Sequence, residues 1–128
     1  MTKYSDDDQE LLWLVDEGDN PMGTVERKKA HDERLIHREV GLIVYDEEKR
    51  VLFQKRSKQK RANPEMWSTG VAGHVRYGYK PEDEIEREAE EEVGLKGYKM
   101  EFIEKELRRR FSVIRSVRAF KGTTLYKN

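Results

Sequence analysis

Between residues 82 and 92 the chain sets eight carboxylates, Glu82, Asp83, Glu84, Glu86, Glu88, Glu90, Glu91 and Glu92, against the single cation Arg87. A run of charge is ordinarily a solvated helix face. On a helix, however, Glu82–Glu86, Glu86–Glu90 and Glu88–Glu92 are like-charged neighbours one turn apart, and such pairs repel. Glu88, Glu91 and Glu92 also share one face, at spacings of three and four. Three carboxylates converging on one spot are costly unless a cation sits between them. Mg²⁺ or Mn²⁺ suits such a set, because these ions favour hard oxygen ligands.

Ligands of this kind need a firm element beneath them. Pro81 is tolerated in a first helical turn, and Glu82, Asp83 and Glu84 suit the positive end of a helix dipole. Ile85, Ala89 and Val93 recur every four residues, and Gly94 supplies the stop, so the spacing predicts one glutamate-rich helix from Pro81 to Gly94. The apolar run Leu11–Val15 ends at the turn-rich segment Asp16–Pro21, which predicts a strand, a turn and a second strand around Met22–Val25. Lys28–Glu33 is polar and reads as irregular. Val40–Tyr45 and Val51–Phe53 predict a hairpin across the polar loop Asp46–Arg50. Ser68–Tyr79 holds glycines at 70, 73 and 78, too many for a helix. Further strands are expected around Lys99–Glu106, Val113–Phe120 and Thr123–Tyr126. Strands, one helix and then strands make an α+β domain.

The 128 residues and 15.2 kDa fit one domain spanning 1–128, with one core. Charged residues reach 41% against 35% hydrophobic ones, yet 26 basic and 26 acidic side chains cancel, whereas disorder by charge wants a large net charge. Without cysteine there are no disulfides, thiolate metal sites or cysteine nucleophiles. No run approaches the roughly 18 apolar residues of a membrane span. Asp6, Asp7, Asp8 and Glu10 near the N-terminus oppose the charge of a secretory leader, so the cytosol is the expected compartment.

Gly73, followed by Arg87-Glu88-Ala89-Glu90-Glu91-Glu92-Val93-Gly94-Leu95, resembles the Nudix box, G-x5-E-x7-R-E-U-x-E-E-x-G-U with U apolar. The resemblance implies an α/β/α sandwich with a mixed sheet, and hydrolysis of a nucleoside diphosphate linked to another moiety or of a related diphosphate. It makes Glu88, Glu91 and Glu92 the metal ligands, helped by the backbone carbonyl of Ala72. It also gives Glu91 or Glu92 the task of activating water and includes Arg87 in the catalytic set. One position departs: the first box glutamate falls on Tyr79, whereas in the family that carboxylate is thought to pair with the arginine. Metal binding with weakened turnover is the expectation.

Ala30-His31, Leu35-Ile36-His37-Arg38, Gln54-Lys55-Arg56, Pro64–Trp67 and Gly73-His74-Val75 resemble the isopentenyl-diphosphate isomerase-like branch of the family. That likeness implies a second metal site at His31, His37 and His74, and diphosphate binding by Arg56 and Lys60. The isomerase's acid/base cysteine would fall on Ala72, whose methyl group cannot move a proton. The acids it needs after the helix are also missing, since Leu107–Asn128 contains no Asp or Glu. A hydrolase of this branch is therefore the leading reading, ahead of a non-catalytic binding module or an isomerase-like protein.

The resemblance is weaker beyond Leu95, and the C-terminal part reads as shortened. Leu107–Asn128 holds seven basic residues, a pattern that also suits a nucleic-acid partner. Val113, Ile114, Val117, Ala119 and Phe120 predict a strand in need of cover, which makes a homodimer through an unpaired sheet edge the expectation.

Overall fold

The computed structural model describes residues 9–51, 53–55, 67–94 and 100–121. Strands β1 (Leu11–Val15) and β2 (Pro21–Glu26) form the expected antiparallel hairpin. Its turn is held by Asp16, whose Oδ1 accepts the backbone N–H groups of Gly18 and Asn20, each at 2.9 Å. The segment read as irregular instead forms a helix, α1 (Arg27–Asp32). It has one buried residue, Ala30, and no side-chain cap, so it carries no apolar period for a sequence to display. Ala30 packs with Leu12 of β1 and Val25 of β2.

Strand β3 (His37–Tyr45) is the spine of the sheet. Among the described residues, the predicted hairpin after it closes at one bridge, Tyr45 to Val51, around Asp46, which accepts the N–H groups of Glu48 and Arg50. The chain then leaves: β4 (Phe53–Lys55) pairs with β5 (Trp67–Thr69) in a separate two-stranded sheet. Strand β6 (Val71–His74) returns antiparallel to β3, and helix α2 (Pro81–Val93) follows.

After α2 come β7 (Glu101–Arg108), a single 3₁₀ turn (Arg109–Phe111) and β8 (Val113–Lys121). The predicted strand at 113–120 is present, but the unpaired edge expected there is not. β8 lies parallel to β3 over nine residues and antiparallel to β7 on its other side. A strand hydrogen-bonded on both sides offers no edge to a second copy, so the argument for a dimer through this segment falls. The strand expected at 123–126 lies outside the described residues.

The result is a mixed sheet in the order β2-β1-β3-β8-β7, with β6 also pairing β3. With α1 and α2 against it, the chain has the expected α+β architecture, with two α-helices among the described residues where the sequence predicts one. The core is built on one face: Val40, Leu42, Val44, Val71 and Phe120 of the sheet enclose Ile85 and Ala89 of α2, with Val93 packed alongside.

Candidate metal centre

Period-two alternation turns neighbouring residues of β6 to opposite faces of the sheet. Val71 lies in the core with α2, and Gly73 lies under the Glu88 side chain. Ala72 is exposed and His74 meets the other histidines. Two candidate sites therefore share four residues of strand from its two sides.

Pro81 opens α2 after an extended Lys80, with no side-chain cap, and Gly94 closes it at φ +73°, donating its N–H to the carbonyl oxygens of Ala89 and Glu90. Ile85 and Ala89 fix the rotation of the helix, so the carboxylates flank the buried stripe. Glu88 lies flat against β6. A Cβ on Gly73 would come within 3.1 Å of its Cγ and Cδ, so the box glycine is a cradle for this side chain. Arg87 holds two carboxylates at once: Nη2 donates to Glu88 Oε1 and Nη1 to Glu91 Oε2, each at 2.9 Å. Ala72 stands beside the cradle, paired across to Gly41. Glu92 is exposed on the same helix. The donor set is all oxygen, the glycine gives it room, and the residues fit a hard divalent cation.

Sequence reasoning missed the carboxylate behind them. Glu84, which the sequence places only among the acids of the first helical turn, is 1% exposed. Both its oxygens take Arg76: Nε donates to Oε2 at 2.9 Å, Nη2 to Oε1 at 2.8 Å, and the Arg76 backbone N–H to Oε2 at 3.2 Å. Arg87 Nε also donates to Glu84 Oε1, at 3.5 Å. Burial pushes the Glu84 carboxyl up, but the Arg76 hydrogen bonds and the two positive charges outweigh it and leave the group below its ordinary value. Tyr79, at the departing box position, is half exposed and lies under the Arg76 guanidinium, 4.1 Å from ring centre to Cζ. The signal for Glu84 was its spacing: three before Arg87 and four before Glu88, on their stripe.

On the opposite face, His31, His37 and His74 bring one ring nitrogen each within 4.8 Å of one another, the one such group among the described residues. They come from α1, β3 and β6. His37 is fully buried, and burial holds it down at about 4, so it is neutral at pH 7. Its Nδ1 donates to the Leu35 carbonyl at 2.8 Å, which leaves Nε2 as a bare lone pair, buried and with no hydrogen-bond partner. His31 Nε2 lies 3.2 Å from His74 Nε2. A tautomer fixed in this way is what a metal needs of an imidazole. Working against a cation are Arg27, whose guanidinium touches His74 Nδ1, and β8, which sets Val113 opposite His37 and Arg115 opposite Glu39. Arg56 and Lys60 lie outside the described residues.

The NUDIX domain model matches residues 35–123. The chain belongs to the Nudix family. Among curated Nudix relatives, the isopentenyl-diphosphate Δ-isomerase of Burkholderia multivorans is 37% identical over 68% of this chain and 49% of its own. That of Serratia proteamaculans is 32% identical over 67% and 48%. An uncharacterized Nudix hydrolase of Pseudomonas aeruginosa is 30% identical over 75% and 57%. These matches place the chain in the isomerase-like branch of the Nudix family, although it spans about half the length of these relatives. The crystal structure of a Deinococcus radiodurans Nudix protein, at 22% identity, superposes with a TM-score of 0.78 over 91% of this chain and 74% of that one, which shows the shared Nudix fold. No described helix of this Nudix chain is long and apolar enough to cross a membrane.

Proposed function

We propose that the chain is a Mg²⁺- or Mn²⁺-dependent hydrolase of a phosphoanhydride, acting in the cytosol on a small diphosphate. The observation that carries this reading is Arg87 spanning Glu88 and Glu91 above the Gly73 cradle, which arrays carboxylates as hard ligands at the edge of a packed helix. Glu88, Glu91 and Glu92, with the Ala72 carbonyl, would hold the ion, and the ion would supply positive charge to the phosphoryl oxygens. Glu91 or Glu92 takes a proton from the attacking water. The water oxygen bonds to phosphorus as the bridging P–O bond breaks, and the leaving phosphate carries off the electron pair. Arg56 and Lys60 are proposed to balance the charge of the substrate.

The isomerase reading of the same fold is supported by the names of the curated relatives, but two features of this chain's residues speak against it. Ala72 offers no proton at the position of the isomerase cysteine, and β8 brings no acid to the histidine face. The buried Nε2 of His37 does favour a second ion at His31, His37 and His74, and we assign that site to structural metal binding. The deciding experiment measures phosphate release from a panel of nucleotide and prenyl diphosphates, with and without Mg²⁺. Mg²⁺-dependent release from at least one is the expected result. Double-bond migration in isopentenyl diphosphate without phosphate release would establish an isomerase instead, and inertness towards every compound would leave a binding module.

A further inference from the structure

Arg87 is the one cation within the carboxylate run, and its two Nη groups are occupied by Glu88 and Glu91. Those are the carboxylates a divalent ion would claim. Once they turn to the ion, Arg87 would be left beside a dication, with Arg76 as a further positive neighbour. A group must stay behind to neutralise it, and only a buried anion fixed by other contacts can do so without competing for the metal. Glu84 has those properties: it is 1% exposed, gripped by three Arg76 donors and within reach of Arg87 Nε.

We infer that Glu84 is a positioning residue that supplies from within α2 the anionic anchor for Arg87 that Tyr79 cannot, and so keeps Glu88 and Glu91 available to a cation. The inference rests on the metal reading above. Tyr79 takes part differently, its ring stacked against Arg76, which holds Glu84 in turn. The chain of contact runs Tyr79, Arg76, Glu84, Arg87, and the negative charge has moved along it from the first link to the third. A carboxylate restored at residue 79 would sit against Arg76, the guanidinium that holds Glu84.

The test uses the full chain as wild type, Glu84→Gln, Tyr79→Glu and the Tyr79→Glu/Glu84→Gln double variant. Mn²⁺ affinity is measured by calorimetry, and the Arg87 side-chain Nε–H resonance by NMR without metal. Glu84→Gln keeps the shape and loses the charge, and circular dichroism reports whether it folds. If it does not, the double variant is compared directly with wild type. Loss of a buried supporting group of this kind weakens metal binding roughly 10- to 100-fold. Glu84→Gln should show such a loss and shift the Arg87 signal, and the double variant should return to within about threefold of wild type, a recovery that a merely structural role would not give. A double variant that binds no better than Glu84→Gln overturns the inference, as does wild-type affinity in Glu84→Gln. If wild type binds no Mn²⁺, the metal reading fails on its own. The pairing of Glu84 with Arg87 is then judged by the NMR signal, and one unmoved by Glu84→Gln overturns it.

Discussion

The two faces of β6 present ligands in opposite ways. Toward α2, charged carboxylates from one helix stand near water and are kept apart by an arginine, itself tied to a buried acid. On the far side, three imidazoles from three separate elements meet, and the most buried is neutral and lacks a partner for its lone pair. Local sequence spacing builds the first site, so its geometry costs little chain entropy but much electrostatic repulsion. Tertiary structure builds the second, where the cost is desolvation of polar atoms. A helix can display ligands cheaply only if something nearby manages their charge, and here Arg87 and Glu84 do so.

The sharpest way to break the contrast is to remove that management. Glu84→Gln leaves Arg76 and Arg87 without a buried counter-charge and should cost on the order of 3 kcal/mol in urea unfolding, as loss of one partner from a buried pair does. Because the folded carboxyl lies below its unfolded value, its stabilising contribution is complete above about pH 4.5 and is lost as pH falls through the lower folded value. Wild type should therefore lose stability in that acid range more steeply than Glu84→Gln, and parallel pH profiles would show that Glu84 does not carry the charge.

The second effect is smaller and confined to the other face. His37→Leu removes one hydrogen bond, from Nδ1 to the Leu35 carbonyl, but also an unsatisfied buried nitrogen. In the metal-free protein it should cost about 1 kcal/mol, and it should leave the carboxylate set's Mn²⁺ affinity unchanged. A fall in that affinity would mean the two faces act as one site. The smallest effect has the opposite sign. Glu86 is exposed and stands one turn from both Glu82 and Glu90. Relieving those repulsions by Glu86→Gln should stabilise the metal-free protein by roughly 0.2–0.5 kcal/mol, without the loss of Mn²⁺ binding expected of Glu92→Gln.

The sequence displayed whatever depended on local spacing. Helix α2, its start at Pro81 and its stop at Gly94 followed from a four-residue apolar period and two backbone specialists. The β1–β2 turn followed from its Asp, Gly, Asn and Pro. What escaped was set by partners distant in sequence. Nothing in Val113–Phe120 says that β3 will lie beside it in parallel, and the strand therefore read as an edge. Glu84 read only as a first-turn acid because its burial depends on Arg76, eight residues earlier. The three histidines were legible as a group only through family likeness, since their meeting needs α1, β3 and β6 in place.

The position of β8 has a kinetic side. Its first residue pairs with the first of β3 across 76 positions of chain (37 to 113), and every later pair keeps that separation. The β1–β2 hairpin and α2 can form from near neighbours, but the middle of the sheet must wait for one long closure, whose entropy is spent before the contacts repay it. Folding should thus be limited by the docking of β8 between β3 and β7. In pulse-labelling hydrogen exchange, amides of Glu39 and Gly41, which face β8, should gain protection in step with those of Ser116 and Arg118, after the amides of α2.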